Sequence, residues 1–112
     1  MATELVTYPN FGCQSGTIVL YATSLQIYIG HVSFNGDTID MITSNVEKKG
    51  NGTRLLRAAE THIKDNGWNY VYLTPIFSAE PFFLKNGYRR TGLLDWPALI
   101  WRMQFNTMVK KI

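Results

Sequence analysis

Glu47-Lys48-Lys49-Gly50-Asn51-Gly52-Thr53-Arg54-Leu55-Leu56 is a basic, glycine-rich turn that runs directly into a helical pattern. The run before it, Thr38–Thr43, is β-branched and apolar and reads as a strand. Strand, glycine turn and helix N-terminus together let backbone N–H groups converge on a phosphate. Gly50 and Gly52 give the backbone freedom to take positive φ and to approach a ligand closely. Lys48, Lys49 and Arg54 add positive charge around the turn, so the stretch points to a phosphate-bearing ligand. A P-loop would need Gly-Lys-Ser/Thr where Gly52-Thr53-Arg54 stands. A dinucleotide fingerprint would need a third glycine where Leu55 stands.

Periodicity places further elements on either side. Glu4–Tyr8 reads as a short strand, Thr17–Ala22 and Leu25–Phe34 as longer ones, and Asn35-Gly36-Asp37 as a hairpin turn. Leu55, Leu56, Ala59 and Ile63 make one apolar face of a helix over Thr53–Asp65, which Asn66-Gly67 stops. Tyr70–Thr74 alternates as a strand. Pro75 and Ser78 introduce a short helix ending at Asn86-Gly87. Tyr88–Leu93 and Leu99–Phe105 read as the last two strands, joined across Asp95-Trp96-Pro97. From Thr17 onward the order is β-β-β-α-β-α-β-β, an α+β sheet flanked by helices.

Composition bounds the function classes. A chain of 112 residues holds one core and reads as a single domain over residues 1–112. Its 46% hydrophobic content is that of a globular protein. Cys13 is the one cysteine, so no internal disulfide forms and a reducing, cytoplasmic setting is expected. Met1-Ala2-Thr3-Glu4 does not open a secretory leader. Thr17–Phe34 is broken by Thr23, Ser24, Gln26 and His31, which argues for strands rather than a membrane span. His31 and His62 stand isolated, without ligand spacing for a metal. The net charge of +3 suits an anionic cofactor. Tyr88-Arg89-Arg90 and Lys110-Lys111 are too short to favour nucleic acid.

Two segments carry a family resemblance. Glu47-Lys48-Lys49-Gly50-Asn51-Gly52, followed by Leu55-Leu56, resembles the pyrophosphate turn of the GNAT (GCN5-related) N-acetyltransferase superfamily, Gln/Arg-x-x-Gly-x-Gly/Ala before a helix with paired aliphatics. Glu47 departs from the pattern at its first position. Ser78-Ala79-Glu80-Pro81-Phe82-Phe83-Leu84-Lys85-Asn86-Gly87-Tyr88 is similar to the superfamily's Ala-x-x-Phe-Tyr-x-x-x-Gly-Phe segment, in the expected order along the chain. The resemblance spans roughly Ile27 to Phe105 and implies a GNAT-like domain with a mostly antiparallel sheet. Superfamily members place two helices between their first strands, and no amphipathic pattern precedes Leu25 here. The chain therefore resembles a short member lacking most of the N-terminal helical region. A second copy could supply the missing wall, with Trp68, Trp96 and Trp101 as surface-eligible aromatics for a homodimer.

The resemblance implies acetyl-CoA as co-substrate, an amine acceptor, direct transfer and no metal. The pyrophosphate is expected on Lys48, Lys49, Gly50, Asn51, Gly52, Thr53 and Arg54, and the pantetheine arm along Ile42, Thr43 and Ser44, pairing with an open strand edge. Asp40 is the candidate base, on alternation the same strand face as Thr38 and Ile42. His31 is a weaker candidate. The superfamily's tyrosine acid corresponds to Phe83 and its asparagine to Ile76, neither of which carries that chemistry. Tyr72 is the substitute candidate acid, with Tyr88 or a water behind it. Glu60, Glu80 and His62 read as helix-surface groups. The alternative reading is a catalytically silent module with this fold that binds CoA or a protein partner. The acceptor is not legible in the sequence.

Overall fold

The structure is a computed structural model and describes residues 3–10, 14–23, 27–44, 50–91 and 107–112. Among the described residues seven strands form one sheet in the order β1-β2-β3-β4-β5-β7-β6. Their spans are β1 Thr3–Asn10, β2 Ser15–Ala22, β3 Ile27–Asn35, β4 Thr38–Ser44, β5 Tyr70–Leu73, β6 Arg89–Arg90 and β7 Met108–Lys111. Helix α1 is Asn51–Asp65, and a 3-10 turn at Phe77–Ala79 leads into helix α2, Glu80–Lys85. Neighbouring strands run antiparallel except β4 and β5, which are parallel. No helix among the described residues is long and apolar enough to cross a membrane.

α1 lies over β2, β3 and β4 because its stripe of Leu55, Leu56, Ala59 and Ile63 has nowhere else to go. All four side chains are fully buried against Ile18, Leu20, Val32, Phe34 and Ile39. Truncating a leucine there costs about 2–5 kcal/mol. Asn66-Gly67 ends the helix as the sequence implies: Trp68 N–H donates to Ile63 O and Gly67 N–H to Lys64 O. Asn86-Gly87 repeats the pattern after α2, with Tyr88 N–H on Phe83 O. At the side of α1, His62 packs on the Phe34 ring and contacts Thr7, so it is half-buried rather than a surface group.

Three further expectations change. The strand expected at Glu4–Tyr8 runs over the whole of Thr3–Asn10, pairing with β2 from Thr3↔Ala22 to Asn10↔Ser15. The strand expected at Leu99–Phe105, with Trp96 and Trp101, lies outside the described residues, as do Cys13 and residues 92 and 93 at the end of the strand expected at Tyr88–Leu93. A strand that the sequence reading did not place, β7, sits between β5 and β6. Met108 and Val109 are both buried although they face opposite sides of the sheet. That two-sided burial erases the alternation by which a strand is recognised in sequence.

Glu60 also departs from its expected place on the surface. It is 6% exposed and sits in a polar cluster that joins α1 to both ends of the C-terminal half. Tyr88 donates its hydroxyl to Glu60 Oε2 at 2.6 Å, Arg57 reaches Oε1 at 2.7 Å and Lys110 Nζ bridges both oxygens at 3.1 and 3.2 Å. Arg57 also donates to Asn86 Oδ1, and Lys110 lies over the Tyr88 ring. A buried carboxylate of this kind is tolerated because its lone pairs are filled by charged donors. Lys110 and Arg89-Arg90 are thus structural in part: Arg90 pairs with Glu80 across the surface. Glu60→Ala is expected to lower stability in urea titrations by about 2 kcal/mol, because it strands the Tyr88 hydroxyl and the Lys110 ammonium. Glu80→Ala, which breaks a more exposed pair, is expected to cost less than ~1 kcal/mol.

Candidate functional site

β4 and β5 share only two ladder positions, Thr38↔Tyr72 and Ile39↔Leu73. Beyond Ile39 the two strands part. β4 continues to Ser44 with β3 on one side, through Met41↔Ser33, Ile42↔Val32, Thr43↔His31 and Ser44↔Gly30. β5 ends at Leu73 and the chain turns away through Thr74-Pro75. Pro75 has no N–H to extend a ladder. The fork opens into a cleft of about 270 Å³ lined by Ile39, Asp40, Met41, Ile42, Leu73, Thr74, Pro75, Ile76, Ala79 and Phe83. From Asp40 to Ser44 the β5-facing edge of β4 has no β5 partner, so its backbone groups are available to an extended ligand.

Asp40 occupies a special place in that edge. The β3–β4 register jumps between Ser33↔Met41 and Phe34↔Ile39, leaving Asp40 as the extra residue of a β-bulge. The bulge overturns the expected alternation. Ile39 and Ile42 both sit opposite core residues, Phe34 and Val32, and Asp40 does not simply share the face of Ile42. Its side chain is exposed at the cleft wall, where partial desolvation holds its carboxyl above the ordinary aspartate range.

The glycine turn approaches from the other end. Gly50 is the N-cap of α1 with φ 101°, a conformation that L side chains rarely adopt. Arg54 N–H donates to Gly50 O, closing the first helical turn. Among the described residues no side chain caps this N-terminus, and no acidic residue lies in its first turn. The N–H groups of Asn51, Gly52 and Thr53 therefore keep their positive potential, and this donor set fits a pyrophosphate. Gly52 has another reason to be glycine: a Cβ there would stand 3.3 Å from the Phe82 ring, so it lets α1 dock on α2.

The candidate residues fall into groups. Asp40 and Ile42 line the cleft, Thr43 and Ser44 continue its edge, and Gly50 through Thr53 form the helix N-terminus. Arg54 turns aside: its guanidinium donates to Thr3 Oγ1, tying α1 to the edge strand. Lys48, Lys49 and Glu47 lie outside the described residues. Tyr72 was expected at the gap, but it sits at the fork's closed end and is buried, while its neighbour Leu73 lines the cleft. Strand alternation sends the two to opposite faces. Tyr88 is held by Glu60, and burial pushes its hydroxyl far above the usual tyrosine range. His31 pairs with Thr43 on the sheet face away from α1 and accepts or donates at Nδ1 with the Tyr28 hydroxyl. Phe83 and Ile76 do line the cleft, at the places where the superfamily resemblance leads one to look for polar groups. Met41 was not anticipated, because only the bulge turns it to the cleft mouth.

No family model matches the sequence, and no curated protein matches it. Solved structures do match. A GNAT-family acetyltransferase from Staphylococcus aureus Mu50 superposes with TM-score 0.74 at 12% identity, over 98% of this chain and 99% of that one. The fold is that of the GNAT acetyltransferases. A GCN5-related N-acetyltransferase from Rhodopseudomonas palustris gives 0.65 at 23% identity, over 88% of this chain and 62% of its own. A streptothricin acetyltransferase from Bacillus anthracis, solved in complex with acetyl coenzyme A, gives 0.67 at 18% identity over 91% and 62%. The chain thus spans about three fifths of two of these GNAT structures and nearly all of the third.

Two measurements check this geometry. Gly50→Val is expected to cost about 1–3 kcal/mol through its positive φ, while a Cβ at this position meets no neighbour within 4 Å. The folded fraction, verified by circular dichroism, should lose CoA binding in calorimetry. The second concerns pH. Ionising Asp40 costs the folded state, since its carboxyl is held above its unfolded value. The cost is fully present above the folded pKa and absent below the unfolded one. Asp40→Asn should therefore equal or exceed the parent in thermal stability at neutral pH, with any advantage vanishing as pH falls through the carboxylate range.

Proposed function

We propose that this chain is an N-acetyltransferase that moves an acetyl group from acetyl-CoA directly to an amine. The observation that carries the reading is the fork: an open strand edge leads from an uncapped helix N-terminus to an apolar cleft with one carboxylate on its wall. The amides of Asn51, Gly52 and Thr53 would hold the pyrophosphate, with Lys48 and Lys49 adding charge. The edge from Ile42 to Ser44 would pair with the amides of the pantetheine arm. The similar structure solved with acetyl coenzyme A supports this choice of co-substrate.

Acetyl-CoA supplies an activated thioester, and the chain's part is to orient it, exclude water and move protons. Attack needs a neutral amine. Asp40 would accept the amine's proton, directly or through a water, and its raised pKa would make it a stronger base than an ordinary aspartate. The C–N bond forms as the C–S bond breaks, and the thiolate takes its proton from solvent. Phe83 at the cleft wall carries no proton to give. Tyr72, buried at the closed end of the fork, serves packing in this account.

Calorimetry with acetyl-CoA and CoA, followed by thiol release over a panel of amines, tests the proposal. Asp40→Asn is expected to lower kcat by at least ~10²-fold with little change in acetyl-CoA affinity. In the parent the rate should fall as pH drops through the raised Asp40 pKa, and this limb should be missing from the residual activity of Asp40→Asn. Tight CoA binding without thiol release for any amine would replace transfer with the silent CoA-binding module.

A further inference from the structure

The chemistry of the cleft wall narrows the acceptor, and this step rests on the transfer reading above. Eight of the ten lining residues are apolar, and Asp40 is the one ionisable group among them. Two apolar side chains stand at the mouth in unusual exposure: Met41 at 55% and Ile76 at 73%. They come from opposite prongs of the fork, Met41 from β4 and Ile76 from the segment after β5. Met41 pairs with Ser33, on the sheet face where Thr17 and Ser33 exchange a hydroxyl hydrogen bond, away from the helix α1. The phosphate-binding turn leads into α1, so the Met41 side of the cleft is left for the second substrate. An acceptor entering there meets Met41 and Ile76 together with the Asp40 carboxylate on the same cleft wall.

We infer that the acceptor is a primary amine carried on a single apolar arm, alkyl or aryl, with its nitrogen at Asp40 and its arm between Met41 and Ile76. Charge matching supports this class over others. One carboxylate answers one ammonium. A polyamine would bring two or more further cations against a wall with no second carboxylate among the described residues. An acidic amino acid would bring its carboxylates beside Asp40, with no lining cation among the described residues to receive them. An alkyl or aryl arm instead covers apolar surface that water otherwise contacts.

The test compares hexylamine with ethylamine, two alkylamines of similar basicity, together with spermidine and glutamate, by thiol release from acetyl-CoA at one pH. Hexylamine is expected to exceed ethylamine in kcat/KM by on the order of tenfold or more, and to exceed spermidine and glutamate as well. The double variant Met41→Ser with Ile76→Ser should bring the hexylamine-to-ethylamine ratio towards one. Both positions are exposed, and a ratio is insensitive to a general loss of active protein. Spermidine or glutamate as the better acceptor, or an unchanged ratio in the double variant, overturns the inference. A protein that binds acetyl-CoA yet acetylates none of these amines overturns the transfer reading instead. In that case the Met41 methyl resonance, identified by its loss in Met41→Ser, is followed by NMR in the CoA-saturated protein. A shift with hexylamine and not with spermidine upholds the apolar-amine site, and no shift with hexylamine overturns it.

Discussion

The shortness of the β4–β5 ladder is the constraint from which the site follows. Two parallel pairs hold the strands together at Thr38 and Ile39, and then each strand has its own reason to leave. In β4 the extra residue, Asp40, bends the strand and increases its twist. In β5 the ladder runs out at Leu73, and Pro75 cannot donate to it two residues later. Had either strand run straight, the edge of β4 would be saturated by hydrogen bonds and the cleft would be sheet.

A fork in the middle of a sheet is a weakness unless something else holds its halves. α1 does so on one side, by burying Leu55, Leu56, Ala59 and Ile63 on β2, β3 and β4. The Glu60 cluster does so at the other, where one carboxylate gathers Tyr88, Arg57 and Lys110 from three parts of the chain. Such a cluster adds directional restraint more than net stability, since desolvating the charges offsets much of their attraction. Its effect is to fix α1 against β7 and the end of α2. Gly52 against the Phe82 ring fixes the start of α1 against the same helix. The helix N-terminus that would meet the phosphates is therefore positioned from both sides.

The electrostatics of the two ends are complementary in use. The N-terminus of α1 has neither a capping side chain nor an acid in its first turn, which leaves a positive end for an anion. The far end of the cleft has one carboxylate in an apolar wall, which suits a single cation that must lose a proton. On the proposed reading, an anionic donor and a cationic acceptor would reach the same cleft from different sides.

Much of the fold was legible in the sequence because it rests on local rules. The apolar stripe of α1, the Asn66-Gly67 and Asn86-Gly87 stops, the Asn35-Gly36-Asp37 hairpin and the glycine turn at Gly50 each follow from spacing or backbone freedom within a few residues. The reading of the glycine turn as a cofactor site rested on the superfamily resemblance beside that local pattern, and the choice of Asp40 rested on strand parity and the same resemblance. What the sequence could not show depends on partners distant along the chain. The Asp40 bulge exists only in the register of β4 against β3, so strict alternation put Asp40 on the wrong footing with Ile42 and missed Met41. β7 is buried on both faces between β5 and β6, so Met108-Val109-Lys110-Lys111 looked like a basic tail. Glu60 looked like a surface charge because two of its three partners, Tyr88 and Lys110, come from distant parts of the chain, and only Arg57 lies on its own helix. Tyr72 was placed at the gap because the point where the ladder ends is decided by two strands together, and neither sequence alone records it.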